Sequence, residues 1–256
     1  MKILKKICVF FLTFLLVGCG KVTTPTETTE AVDLIASQAA LEVALATNAR
    51  VDMGGDIQLQ SGVVLNNNML VGNGFQLLGT RYNKDVERTR ACILIIGGTI
   101  EDIVLKDAYC SISTTPNYRV LFNIRLNNVV SDASGSPLYI GHGDNEHNLD
   151  AFNCELYGKT VFSRIAKAYF SECTFGFNSD GSQGSVWAYR DTRFVDCHFE
   201  GKDDAKFQIV IPKEESDRDV VFENCYVGDT LITQDNIAQL LKLNNEGPNT
   251  IRVDNG

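Results

Sequence analysis

The sequence predicts an all-β fold in which short strands stack repeat upon repeat. Three observations predict it. A six-residue box recurs: Phe170-Ser171-Glu172-Cys173-Thr174-Phe175, Phe194-Val195-Asp196-Cys197-His198-Phe199 and Phe222-Glu223-Asn224-Cys225-Tyr226-Val227. Looser copies are Leu105-Lys106-Asp107-Ala108, Leu126-Asn127-Asn128-Val129 and Ala151-Phe152-Asn153-Cys154-Glu155-Leu156. Apolar and polar residues alternate on either side of the polar position, which is strand periodicity. The small residues closing the boxes (Ala108, Val129, Cys154, Cys173, Cys197, Cys225) follow one another at steps of 21, 25, 19, 24 and 28 residues. Repeats of that length without intervening helices indicate a solenoid. An antiparallel sandwich would explain the strands but not the repeated Cys register.

The polar position of each box (Asp107, Asn128, Asn153, Glu172, Asp196, Asn224) marks a bend between strands. Asn and Asp tolerate the left-handed backbone such a bend needs; Glu172 fits that role least well. The box pattern resembles the right-handed parallel β-helix family, the pectate-lyase-like superfold. That resemblance implies a single-stranded right-handed parallel β-helix. With about 4.8 Å per coil, roughly eight coils would make a rod about 40 Å long.

The first residues, Met1-Lys2-Ile3-Leu4-Lys5-Lys6, precede an apolar run from Ile7 to Val17. Such a run is too short to span a bilayer as a helix and reads as a secretory signal. Its end, Leu16-Val17-Gly18-Cys19, resembles the bacterial lipoprotein box. The resemblance implies cleavage before Cys19 and acylation, palmitate included, of its thiol and new amine. Several acyl chains anchor stably where one does not. The alternatives are an ordinary signal with an accidental Cys, and an N-terminal membrane helix. The organisation expected is therefore a signal peptide at 1–18, an anchor and Thr/Glu-rich tether at 19–36, and a capped β-helix domain at 37–256. The expected location is the bacterial envelope at the outer membrane.

The chain of 256 residues carries a formal charge of −9, and loss of Lys2, Lys5 and Lys6 with the signal makes it −12. An acidic body disfavours nucleic acid and anionic membrane surfaces. It also disfavours polyanionic glycans unless a cation bridges them. Apart from Cys8 and Cys19, six cysteines remain: Cys92, Cys110, Cys154, Cys173, Cys197 and Cys225. An even number in an exported chain invites a disulfide reading. The shared inward register of four of them favours instead a ladder of free, buried thiols. No close Cys-x-x-Cys pair suggests zinc.

Along the chain, Ser37 can cap a helix through Thr47 with Leu41, Ala44 and Leu45 on one face. Such a helix would cover the open hydrophobic end of a solenoid. Weaker strands follow from Arg50 to Gly79, a charged loop from Arg81 to Arg90, and a buried strand from Ala91 to Ile96. Near the end, Asn236 to Leu243 reads as a short helix and Ile251-Arg252-Val253 as a last strand. Both ends thus look capped, which favours a monomer.

Three places carry residues suited to chemistry. In Gly141-His142-Gly143-Asp144-Asn145-Glu146-His147, the side chains of His142, Asp144, Glu146 and His147 could bind a divalent cation or do acid–base work. Gly141-His142-Gly143 also resembles a short polygalacturonase motif. That family's other elements have imperfect counterparts in Asn178-Ser179-Asp180, Asp203-Asp204 and Arg164-Ile165-Ala166-Lys167, in the wrong order, so its catalytic roles are not carried over. Trp187 and Tyr189 alternate on a strand beside Arg190. Facing outward, they would form a platform for sugar rings; facing inward, the default expectation, they are core. A calcium-dependent lyase would draw on Asp150, Arg164, Lys167 and Arg193, with Ca²⁺ as its cofactor.

The leading expectation is a lipid-anchored envelope protein with a non-catalytic binding, adhesive or structural role toward glycan. The alternative is a lyase or glycoside hydrolase acting on a uronic-acid-containing glycan. A third is a scaffold with no small ligand. An enzyme should gather carboxylates and a base in a groove; a binder should expose aromatics along one sheet.

Overall fold

Alternation in the sequence becomes register in space. In the computed structural model, residue after residue pairs with its counterpart one repeat later. The structure describes residues 35–80, 91–114, 122–144, 146–202, 205–213 and 218–255. All lie within one compact unit, Asp33–Gly256. The expected signal at 1–18, Cys19 and the expected tether up to 34 lie outside these residues, as do the expected loop 81–90, Asn145 and Asp203-Asp204; Ile35, expected in the tether, pairs with Met53.

The described chain is nearly all β, with two helices and one sheet of 22 strands. The strand pairings are parallel except that Tyr226–Val227 runs antiparallel to Thr230–Leu231. This architecture is compatible with a parallel β-helix.

Because side chains alternate across a strand, parallel register converts each inward position into a column. One column runs Val51, Leu70, Ile100, Leu126, Ala151, Phe170, Phe194, Phe222 and Val253. A second runs Ile57, Leu77, Leu105, Ser131, Leu156, Phe175, Phe199 and Val227. Early repeats use aliphatic side chains and late ones use Phe. Phe170, Phe194 and Phe222 stack at centroid spacings of 5.4 and 5.1 Å, close to the interstrand distance. Ser131 is the polar exception, and its hydroxyl donates to the Pro137 carbonyl at 3.2 Å.

All six expected bend residues adopt left-handed backbone, with φ between 49° and 58°, Glu172 included. Asn67, Asn73 and Asp102 do so as well. The corner side chains also bond to one another: Asn128 donates to Asp102, and Asn153 donates to Asn128 at 3.3 Å.

One box is assigned to the wrong corner by sequence. Val129 pairs with Ile103, not Ala108. The counterpart of Asn128-Val129 is therefore Asp102-Ile103, and the step is 26 residues rather than 21. Asp107-Ala108 sits at a different corner, packed so closely on Gly79 that a Cβ there would meet the Ala108 Cβ at 2.6 Å. The two corners share left-handed Asp followed by an apolar residue, so pattern alone does not separate them.

The cysteine ladder has the expected register. The residues that follow Cys154, Cys173, Cys197 and Cys225 pair in succession, Glu155 to Thr174 to His198 to Tyr226. All four thiols are buried and free. Cys197 and Cys225 donate to the carbonyls of Phe170 and Phe194 in earlier strands, at 3.5 and 3.4 Å. Burial pushes the Cys197 thiol well up and the separate Cys92 thiol up to about 12. The Cys173 thiol is lowered, with the Cys154 thiol as its first hydrogen-bond partner.

At the N-terminal side, the helix Gln38–Thr47 begins at Ser37, whose hydroxyl accepts from Ala40 N at 3.3 Å. Leu41, Ala44 and Leu45 enter the same core as the strands. Near the C-terminus the expected helix is only Ile237–Leu240. Lys242–Asn245 instead pairs with Gln208–Ile211, because an edge of unpaired backbone groups outweighs weak helical periodicity.

Candidate functional site

The strand Ser185–Ala188 decides which way the candidate aromatics face. Val186 and Ala188 are fully buried, so Trp187 and Tyr189 lie on the opposite, outer side. Core burial, the default expectation for these two, is corrected. Their rings stack on each other, centroids 6.2 Å apart and 26° from parallel. Trp187 pairs with Val161, which pairs with Tyr139, so three aromatics share this outer face.

Beside Trp187 lies a groove of about 770 Å³. Lys159, Lys206 and Lys242 line it, with Ser185, Gln183 and Gln208 supplying polar groups. Lys159 Nζ lies 3.8 Å from the Trp187 ring centroid, a cation–π contact. Burial holds that ammonium below its ordinary value. None of the three lysines is in an ion pair among the described residues. The groove is thus locally cationic on a chain of net charge −9, and net charge alone misrepresents it. Arg190 turns back, its Nη1 donating to the Tyr189 carbonyl at 3.1 Å.

No family model, curated protein or solved structure matches this chain. What the site can do therefore rests on its own geometry.

The loop after the strand Ser136–Ile140 holds the second set of candidates. The backbone N–H groups of Gly141 and His142 both donate to Thr114 Oγ1, at 3.1 and 2.9 Å. His147 O accepts from Ala166 N at 2.7 Å, which fixes the other end. Asp144, Glu146 and His147 place one donor atom each within 4.8 Å of one another. His142 stands outside that trio, with its ring edge-on to Tyr139 at 6.4 Å.

Two of the lyase candidates are held apart. Asp150 and Arg193 share an outward row but are separated by Tyr169. Arg193 is bonded to Glu223.

Sequence reasoning missed one further group. Tyr157 donates to Glu155 Oε2 at 2.9 Å, and Glu200 folds over Gly176 onto the Tyr157 ring. A Cβ at Gly176 would overlap the Glu200 carboxylate, so this approach needs a glycine. Burial, then the Glu155 charge, raises the Glu200 carboxyl above its ordinary range. Burial, then the bond to Glu155, raises the Tyr157 hydroxyl. Glu155 and Tyr157 alternate on one strand, but Glu200 comes from a later repeat, which is why no local motif announced the group. Across one corner at Gly158, whose φ is 124°, the outer surface changes from these carboxylates to Lys159 and Trp187.

Proposed function

We propose that this chain is a right-handed parallel β-helix anchored at the bacterial outer membrane by acylated Cys19, and that its role is non-catalytic glycan binding. The supporting observation is the stacked, outward Trp187–Tyr189 pair, of which Trp187 lines the groove that the three lysines share. A sugar ring offers weakly positive C–H groups to the negative face of the Tyr189 phenol, or to the Trp187 indole once the Lys159 ammonium swings off the ring to meet the ligand. The three ammonium groups complement carboxylates, so uronic-acid-containing chains are the favoured ligand class. A platform on a rigid sheet needs little ordering to bind.

The decisive measurement is retardation of the protein in gels containing neutral or uronic-acid polysaccharides, compared with Trp187→Ala. Loss of a central aromatic contact should cost about 2 kcal/mol, about thirtyfold in affinity. Equal retardation of the two proteins would sink the glycan platform. The anchor has its own test. Cys19→Ser should move the protein from the membrane to the soluble fraction, and continued membrane fractionation would remove the lipoprotein assignment.

A second reading is favoured by one observation, the pairing of Glu155 and Glu200 around Tyr157. A carboxyl raised above its ordinary range by burial and by a second carboxylate beside it is the arrangement acid–base cleavage of a glycan uses. On that reading, incubation with the same polysaccharides shortens the chains, and Glu200→Gln abolishes the shortening. Shortening lost with chelator would indicate calcium-dependent lyase chemistry; shortening that survives chelator would indicate hydrolysis.

A further inference from the structure

The loop following Ser136–Ile140 has no part in the glycan platform, yet it brings together three residues with metal-binding side chains. We propose that Asp144, Glu146 and His147 form a binding site for a divalent first-row transition metal, zinc above all. The donor atoms already lie within 4.8 Å of one another, so a single ion can reach all three with small side-chain rotations. They are an imidazole nitrogen and two carboxylate oxygens. Calcium prefers six to eight oxygens and takes imidazole poorly, whereas zinc accepts this N/O set at about 2.0–2.2 Å.

The ends of the loop are held before any ion arrives. Thr114 Oγ1 accepts from two successive backbone N–H groups at one end, Gly141 and His142. At the other end Ala166 N donates to His147 O, and the next residue, Asn148, donates its N–H to Asn123 Oδ1 at 3.0 Å. Part of the entropy of assembling the ligands is therefore already spent in folding. The His147 ring also rests against Phe122, centroids 5.8 Å apart, which limits its rotation.

Three protein donors leave a tetrahedral ion one open position. That position takes water or an anionic oxygen. It lies on the loop that leaves the strand carrying Tyr139, on the same outer face as Trp187. An ion there would add a positive centre to a loop that is otherwise acidic.

The test uses the full-length protein, stripped with chelator and dialysed against Zn²⁺ alone or Co²⁺ alone. The parent should bind one equivalent of Zn²⁺ that excess Ca²⁺ does not displace. His147→Gln, and separately Asp144→Asn combined with Glu146→Gln, should lose that equivalent, while His142→Gln keeps it. Each variant is melted without metal beside the parent; unchanged melting shows that loss of binding is not loss of fold. The Co²⁺ form gives a second measurement independent of any variant: nitrogen/oxygen-ligated d–d bands with no thiolate charge-transfer band. Failure of the parent to bind Zn²⁺ overturns the proposal. So does full binding by His147→Gln, displacement by Ca²⁺, or a thiolate band, which would place the ion on cysteines.

Discussion

Val186 and Trp187 are neighbours on one strand, and they answer to different constraints. Val186 belongs to an inward column with Thr160 and Ile209 one strand away on either side. Its neighbours above and below fix its size, and a repeat that departs from the pattern leaves a void or a clash. Trp187 faces out, between Val161 and Val210, and no neighbour requires an indole there. The inner side therefore repeats and the outer side does not. The teaching of that difference is where to look: inner residues report on fold, and outer departures from repetition report on function.

Substitutions can break this contrast, and the inner ones should dominate. The largest effect is expected from Cys197→Asp. Cys197 is fully buried between Cys173 and Cys225, so the variant would put an unpaired carboxylate into the thiol ladder. We expect loss of the cooperative thermal transition by circular dichroism. A melt like that of the parent would show that the column is not the core. Phe194→Ala comes next. It removes the central ring of the Phe170–Phe194–Phe222 stack and should cost about 3–5 kcal/mol in denaturant unfolding. A cost below 1 kcal/mol would mean that the stack collapses onto the gap. Trp187→Ala reverses the pattern. It should cost under about 1 kcal/mol in the same unfolding experiment, yet weaken polysaccharide retardation by about thirtyfold. If its stability loss matched that of Phe194→Ala, Trp187 would have to be counted as core.

The inner side was also the side legible in the sequence. Boxes and alternation placed the cysteine ladder and six left-handed corners, because each is set by residues close along the chain. The Ala108 misplacement arose where two corners of one repeat use the same chemistry, Asp102-Ile103 and Asp107-Ala108. The orientation of Trp187 was lost because the loop 178–184 interrupts the count of alternating positions. Flanking Val186 and Ala188, small and apolar, were the available signal. The groove was invisible for another reason. Lys159, Lys206 and Lys242 lie on separate repeats, and only parallel register brings them to one surface. The approach of Glu200 to Glu155 and Tyr157 shares that cause. Asp144, Glu146 and His147 were legible because they are close in sequence; that His142 turns away from them was not.

The smallest expected effect sharpens the contrast most. Among the described residues Glu172 is the one corner residue of its kind: φ is 54°, yet the side chain is neither Asn nor Asp. A left-handed residue with an ordinary side chain costs about 1–2 kcal/mol, and Asn reduces that cost through its short polar side chain. Among the described residues no hydrogen bond to the Glu172 carboxylate offsets the strain, while its backbone N–H is already bonded to the Val195 carbonyl at 2.9 Å and would remain so. Glu172→Asn should therefore stabilise the protein by about 0.5–1 kcal/mol, read as a higher denaturant midpoint with unchanged slope. Glu172→Val should lose a similar amount or more, because a β-branched residue tolerates this backbone least. If Asn destabilised while Val did not, the corners would be held by side-chain contacts rather than by backbone conformation. The requirement for Asn and Asp at Asn128, Asn153, Asp196 and Asn224 would then need another cause.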